Sequence, residues 1–435
     1  MTTLKAVRGT RDLLPPETAL WNRIEATARA VFARYNFGEI RTPVFEDTSL
    51  FARSVGEETD IVSKEMYTWD DRARAQSEKS QSLTLRPENT AGVVRAYIEH
   101  KLGETGQLQK LFYIGPQFRR ERPQKGRYRQ FYQIGAEVIG PPSSGSESPL
   151  RDAEVLEMLA TLLDELGISG WTLELNSVGS AADRAGYNQK LRAALVPLAP
   201  QMCADCQRRA VANPLRVLDC KVPEDQPLIA TLPAIYDSLG DDSKAHFAAV
   251  TAALDAAGVP YKLNHRLVRG LDYYTRTTFE FTHGGLGAQN ALLGGGRYDG
   301  LSEAIGGPKA PGIGFAIGED RLVLTLLAQE SEIATKSHAY IAPLGEALNA
   351  PALKLARELR RAGLSVELGD GSFRLKKSFE AADKNARRIV ILGEDEHQSG
   401  ILTVKDFASG VQTKVPREEL VRFLSTPAKQ QGAPE

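Results

Sequence analysis

The chain lacks the features that mark several protein classes. Its 435 residues contain no apolar run of the roughly 18 residues a membrane-spanning helix needs. Three cysteines are too few for a disulfide framework and suit a reducing compartment. The opening residues, MTTLKAVRGTRDLLPPE, have no continuous apolar stretch of the secretory kind, so the expected location is the cytoplasm, away from membranes. The six histidines form no HExxH, and neither GxxxxGK[ST] nor GxSxG occurs. These absences argue against a zinc protease, a P-loop enzyme and an elbow-type serine hydrolase. Internal repeats and low-complexity tracts are missing. Charge of one sign is missing too: 54 basic residues meet 55 acidic ones. That balance excludes a polybasic coat and leaves room for a local basic site.

What is present is ordinary globular composition, and the length suggests two to four domains at roughly 100–200 residues each. After Pro15 and Pro16, the apolar residues Leu20, Ile24, Ala28, Val31 and Phe32 predict a helix over 17–35. Further helices are expected after RPENT, over about 151–166, and over about 319–329. Between them run KLFYIGPQF, RQFYQIGAEVIG, WTLELNSVG, YYTRTTFEFT, ALLGGGRYDGL and PGIGFAIG. Such strands follow one another, which favours an antiparallel sheet. Residues 181–258 are alanine- and leucine-rich and read as a helical insertion, splitting a first domain into 1–180 and 259–329. A polar linker over 330–337 leads to an α/β domain at 337–427, and 428–435 read as a tail.

Four segments carry chemistry. FRRERPQKGRYR, residues 118–129, sets Arg119, Arg120, Arg122, Lys125, Arg127 and Arg129 against Glu121 around a Pro123–Gly126 turn. Arginine forks grip phosphate oxygens in pairs, so this hairpin loop fits a polyphosphate, an RNA backbone, or both. Gln133, Gly135 and Glu137 follow on one strand face, as in a lined pocket. LRPENT offers Glu88 for an ammonium group and Thr90 for a hydrogen bond, although helix capping explains both equally well. In RGLDYYTRTTFE, Arg269 and Asp272 flank a turn at Gly270, and Tyr273 and Tyr274 are expected on opposite faces of a strand; a structural Arg–Asp pair with core tyrosines is the plainer reading. GGGRYDG and GIGFAIGEDR are glycine-rich strands that let a planar ligand approach the backbone, with Arg321 placed to reach a phosphate. Cys203, Cys206 and Cys220 hint at zinc, but no fourth ligand stands at motif spacing, so no protein-bound zinc is expected.

Together and in this order, these segments resemble histidyl-tRNA synthetases, a family of class II aminoacyl-tRNA synthetases, over nearly the whole chain. GTRDLLPPE is similar to the family opening. IRTPVFE, FRRERPQKGRYRQFYQIGAE and GIGFAIGEDRL resemble the three class motifs, with Pro43 at the dimer-interface position. LVRGLDYYTRTTFEF and GGGRYDGL resemble the two histidine-specific motifs, and LKKSFEAADKNARRIVILGEDE the anticodon-binding domain.

The resemblance implies an α+β fold: a six-stranded-type antiparallel catalytic sheet flanked by helices, a helical insertion, and a C-terminal α/β anticodon-binding domain. It implies a cytoplasmic homodimer that activates L-histidine with ATP and Mg²⁺ and charges tRNA(His). Glu88, Asn89, Thr90 and Gln133 then surround the α-ammonium of histidine, and Glu137, Tyr273 and Tyr274 its imidazole. Arg119, Arg127 and Arg321 contact ATP, while Arg269, with Arg119, stabilises charge at the reacting phosphate. The family carries glycine where Asn89 stands; asparagine tolerates left-handed backbone, so the loop is expected to keep its shape. The alternatives are a non-catalytic regulatory subunit and a tRNA-sensing module. The regulatory relative loses both RGLDYY and the C-terminal domain, which this chain keeps, and a sensing module has a decayed active site, whereas Arg119, Arg269 and Arg321 are all present here.

Overall fold

A computed structural model describes residues 3–56, 59–71, 80–124, 126–286, 290–329 and 336–426. Lys125, most of the expected linker (330–335), the domain end at 427 and the tail 428–435 lie outside the described residues. The chain forms two compact units, Met1–Glu332 and Ile333–Glu435. Among the described residues no helix is long and apolar enough to cross a membrane.

The first unit is built on strands β1 (Gln109–Phe118), β2 (Gln130–Ile139), β3 (Trp171–Ser177), β4 (Thr275–His283), β5 (Ala291–Arg297) and β6 (Gly312–Gly318). They lie in the order β1-β2-β6-β5-β4-β3, every neighbouring pair antiparallel. Gly38–Glu39 and Lys262–Leu263 pair in parallel at the two edges and raise the sheet to eight strands instead of six. Two-residue strands are too short to leave an alternating pattern in the sequence.

Side chains alternate across a strand, and here the alternation separates core from site. Ile134, Ala136 and Val138 on β2, and Ile313, Phe315 and Ile317 on β6, face the hydrophobic core. Helix α1 is Glu17–Arg34 and α2 is Thr90–Glu99, and that core is covered by α1, α3 (Pro149–Glu165), α4 (Asp241–Ala257) and α5 (Glu319–Ala328). Phe32 of α1 packs 5.0 Å from Phe112 and 6.1 Å from Phe315, ring to ring. Beneath the sheet, Asp152 accepts from Thr277 Oγ1 at 2.6 Å and Arg297 Nε at 3.0 Å, and lies 2.8 Å from His246 Nε2. This buried network ties α3, α4, β4 and β5 together.

The expected insertion has two parts. Phe247, Val250 and Leu254 of α4 join the main core. Helices Ala181–Leu195 and Ala204–Ala212, with short 3₁₀ turns, instead close a satellite core around Tyr187, Leu191, Cys206, Val217 and Ile235. Asp183 fastens the neck of this satellite. Its carboxylate accepts from Ser180 N and Gly240 N, both at 2.8 Å, and from Ser243 Oγ at 2.6 Å. These donors hold its acid at about 2, against the opposing effect of burial.

The second unit has β7 (Ala339–Pro343), β8 (Val366–Leu368), β9 (Arg388–Leu392), β10 (Ile401–Asp406) and β11 (Gln412–Pro416). Their order is β8-β7-β9-β10-β11, with β7 parallel to both neighbours and β9-β10-β11 antiparallel. The expected strand–helix alternation and closing hairpin are all present. A six-residue helix, Glu394–Ser399, is additional and too short for a periodic signal.

Candidate active site

The β1–β2 ladder runs from Gln109↔Ile139 to Phe118↔Gln130, so residues 119–129 must form the loop that joins them. Gln124 and Arg127 exchange backbone hydrogen bonds of 3.1 and 2.9 Å across the turn. On the open face of the sheet this loop borders a cavity of 250 Å³ whose lining includes Arg119, Arg127, Gln133, Arg269, Glu280 and Arg321. Four arginines from three separate segments therefore converge on one space.

Each guanidinium is anchored by the fold. Arg119 Nε donates to Pro87 O at 2.9 Å, and its charge lies 5.2 Å from the Phe131 ring centre. Arg127 pairs with Glu121 at 3.2 Å. Arg321 Nη1 donates to Ala291 O at 2.6 Å. Arg269 pairs with Glu280, and not with Asp272, which accepts from Asn213 instead. Burial would lower the Arg269 pKa, but Glu280 more than offsets it. Arg321 moves down, through burial and then through repulsion from Arg127 and Arg269. A polyanion entering this cavity relieves that repulsion.

Beside the arginines lies a buried polar layer. Gln133 and Glu137 extend from the site face of β2, and Gln133 Oε1 has no hydrogen-bond partner among the described residues. Glu137 receives Thr90 Oγ1 at 2.7 Å and Tyr298 OH at 2.6 Å. Burial pushes its carboxyl up to about 8, against those two donors, and nearby Glu88 adds to the rise. Burial likewise holds the phenols of Tyr113, Tyr273, Tyr274 and Tyr298 above their ordinary value, so all four stay neutral. The site face of β6 makes room for this carboxylate: a Cβ on Gly314 would stand 1.7 Å from Glu137 Oε2. Gly294 does the same for Arg269, whose guanidinium atoms lie 2.5 Å from where a Cβ would be.

The structure alters several expectations. Tyr273 and Tyr274 precede β4 in a turn, so they do not take opposite strand faces; their ring centres lie 4.7 Å apart. Glu88 caps α2, accepting from Thr90 N at 2.7 Å and Ala91 N at 3.0 Å. Both sequence readings thus fall on one residue, since each carboxylate oxygen keeps a further acceptor site. Asn89 has φ −120°, ordinary right-handed space, so no left-handed tolerance is needed. Its side chain accepts from Thr42 Oγ1 at 2.6 Å and from Arg86 Nη1 at 3.3 Å. Pro43 is exposed beside Val44 and Phe45, away from this cavity.

Sequence reasoning missed Tyr113, Tyr298 and Glu280. Tyr113 could have been found, because it pairs with Gly135 across the hairpin. Tyr298 stood inside GGGRYDG, but its partner Glu137 is 161 residues away.

A cluster of arginines beside a small layer of carboxyls and phenols can bind a polyphosphate together with a small polar cation. It supplies electrostatic stabilisation at their junction.

The chain resembles known proteins over most of its length. A family profile described as histidyl-tRNA synthetase matches residues 9–322, and one described as an anticodon binding domain matches 338–426. A histidine--tRNA ligase of Koribacter versatilis is 71% identical over 422 residues, covering 97% of this chain and 96% of that one. The corresponding ligase of Solibacter usitatus is 56% identical, covering 97% and 99%. The crystal structure of apo Staphylococcus aureus histidyl-tRNA synthetase matches with a TM-score of 0.77 at 37% identity, covering 98% of this chain and all of that one.

Proposed function

Because the chain belongs to the histidyl-tRNA synthetase family, we propose that the arginine-lined cavity holds ATP and the adjoining polar layer holds L-histidine. The chain is a histidine–tRNA ligase: it joins L-histidine to AMP with release of pyrophosphate, then passes the histidyl group to the 3′ end of tRNA(His). Its close relatives are ligases, which favours this reading over the regulatory and sensing alternatives.

The observation that carries the assignment of roles is the convergence of Arg119, Arg127, Arg269 and Arg321 on one cavity next to buried Glu137. The imidazole sits against Glu137, Tyr273 and Tyr274, so that a ring nitrogen finds a polar partner; an apolar side chain would leave the remaining acceptor positions of the buried Glu137 carboxylate unmatched. Gln133 Oε1, with Glu88 and Thr90 close to Glu137, receives the α-ammonium; Asn89 shapes the turn that presents them. The histidine carboxylate attacks the α-phosphorus, and pyrophosphate leaves on the opposite side. Arg269 and Arg119 stabilise the charge that builds on the α-phosphate oxygens, and Arg127 and Arg321 hold the outer phosphates. The ribose hydroxyl of tRNA then attacks the activated carbonyl, releasing AMP. No covalent enzyme intermediate is required. Mg²⁺ fits as a partner of the phosphates, because the Glu121 and Glu280 carboxylates border the same cavity and offer the oxygen ligands it takes.

The second unit reads the anticodon arm, in keeping with its family match. Two copies of the chain pair in the cytoplasm through the segment at Pro43, next to which Val44, Phe45 and Trp69 are exposed. The test is ATP–pyrophosphate exchange dependent on L-histidine. Wild-type protein catalyses it, and absence of exchange in folded protein refutes the assignment. Arg269→His lowers the exchange kcat at least about 100-fold while the KM for histidine changes less, as expected of a group used mainly in the transition state. Equal losses in both would remove Arg269 from that role.

A further inference from the structure

The satellite core brings three thiols and one carboxylate, spread over residues 203–225, together at one point. Cys203 caps the start of helix Ala204–Ala212, and Cys206 lies in its first turn. Cys220 follows the 3₁₀ turn Pro214–Asp219, and Asp225 ends the turn Pro223–Asp225. Their ligand atoms all fall within 4.8 Å of one another. Cys203 Sγ and Cys220 Sγ are 4.0 Å apart, and Cys220 Sγ is 3.3 Å from Asp225 Oδ2. Cys206, Cys220 and Asp225 are 0, 5 and 1% exposed.

We propose that Cys203, Cys206, Cys220 and Asp225 form a structural site for a divalent zinc ion. A tetrahedral zinc with bonds of about 2.3 Å to sulfur and about 2.1 Å to oxygen sets its ligand atoms roughly 3.5–3.8 Å apart. The observed spacings bracket that range, so only small side-chain adjustments are needed. A disulfide fits less well: it needs sulfurs about 2.05 Å apart and would leave one thiol beside a buried carboxylate. Three thiolates and a carboxylate close all four positions, as structural zinc requires. Supporting donors are in place as well. Val222 N points at Cys220 Sγ at 3.4 Å, and Cys203 N donates to Asp225 Oδ1 at 3.0 Å. The expectation of no zinc rested on the missing fourth ligand, and Asp225 supplies it without a recognisable motif.

The local structure gives the ion a task. Between the ligands the chain has only short helices and turns, so ordinary packing holds it weakly. Yet Asn213 Nδ2 donates to Asp272 Oδ1 at 2.9 Å, and Arg216 Nη1 to Arg269 O at 3.3 Å. The stapled segment therefore braces the loop that carries Arg269.

The test uses full-length protein. Purified without chelator, it contains about one zinc per chain by elemental mass spectrometry. After chelation under reducing conditions it takes up Co²⁺, with thiolate charge-transfer bands and tetrahedral d–d absorption. Cys206→Ser reduces the charge-transfer intensity by about a third, and Asp225→Asn shifts the d–d bands while leaving that intensity in place. Should either variant misfold, the wild-type cobalt spectrum decides alone. Protein that retains no zinc and gives no such bands with cobalt overturns the proposal. So does a Cys203–Cys220 disulfide found in place of metal. The readouts do not involve aminoacylation, so they stand or fall apart from the assignment of the active site.

Discussion

Glu137 and Glu319 are both buried carboxyls pushed up to about 8, and they differ in what surrounds them. Glu137 has two hydroxyl donors and a site to serve. As a carboxylate it accepts a ring N–H, and below about pH 8 it must first lose a proton to do so. The KM for histidine in exchange should therefore fall as pH rises from 7 to 8.5. In Glu137→Gln that dependence should disappear, with histidine weakened more than ATP; a dependence unchanged in the variant would assign it to another group. Glu319, fully buried at the start of α5, has neither carboxylate oxygen paired among the described residues. Burial is the main cause of its rise, and Glu25 and Asp320 add to it. The folded state thus binds this proton more tightly than the unfolded chain does. The linked stability is fully present below about pH 4.5 and declines as pH rises towards 8. Glu319→Gln should raise the urea midpoint at pH 9 by the equivalent of roughly 2–4 kcal/mol and change it little at pH 5. An equal gain at both pH values would refute the linkage.

At the scale of elements, β6 shows how a strand becomes half of an active site. Its Ile313, Phe315 and Ile317 hold the core while Gly314 leaves space over Glu137. Gly314→Ala should lower thermal stability by about 1–3 kcal/mol, because the added methyl would stand 2.7 Å from the backbone oxygen of Ala136 on β2 as well as against the buried Glu137 carboxylate. The same variant should raise the KM for histidine well above that for ATP in steady-state exchange. A rise in both by the same factor would show that the strand itself had moved. The β1–β2 hairpin and its basic loop were legible because both strands are long and a proline–glycine turn divides them. The glycine strands were legible as places of close approach, but not for what approaches them. That depends on Arg269 lying over Gly294 and Tyr298 reaching Glu137, contacts between segments widely separated in the chain. Tyr273 and Tyr274 were misplaced on a strand because nothing local marks where the turn after Gly270 gives way to β4. Asp225 carried no signal at all, since a lone aspartate near cysteines is common.

For the whole molecule, the two units have separate cores, one centred on Phe32, Phe112 and Phe315 and the other on Ile341, Leu355 and Val390. A chain ending at 329 should therefore fold and retain histidine-dependent exchange, while charging of tRNA(His) falls by at least about 100-fold through loss of the second point of attachment. Retention of full charging would contradict the tRNA role given to the second unit. The near-equality of 54 basic and 55 acidic residues conceals a distribution: the basic loop of the first unit, and 16 basic against 13 acidic residues over 336–435. A ligand held locally is easier to release on each turnover than one held by the whole surface. The neck at Asp183 has a historical consequence. Ser180 and Gly240 meet at one carboxylate, so the stretch between them leaves and rejoins the sheet domain at nearly the same place. Closing such a loop costs only about 0.6 kcal/mol more for each doubling of its length. A lineage can thus lengthen, shorten or exchange this stretch as a cassette without renegotiating the register of a single catalytic strand.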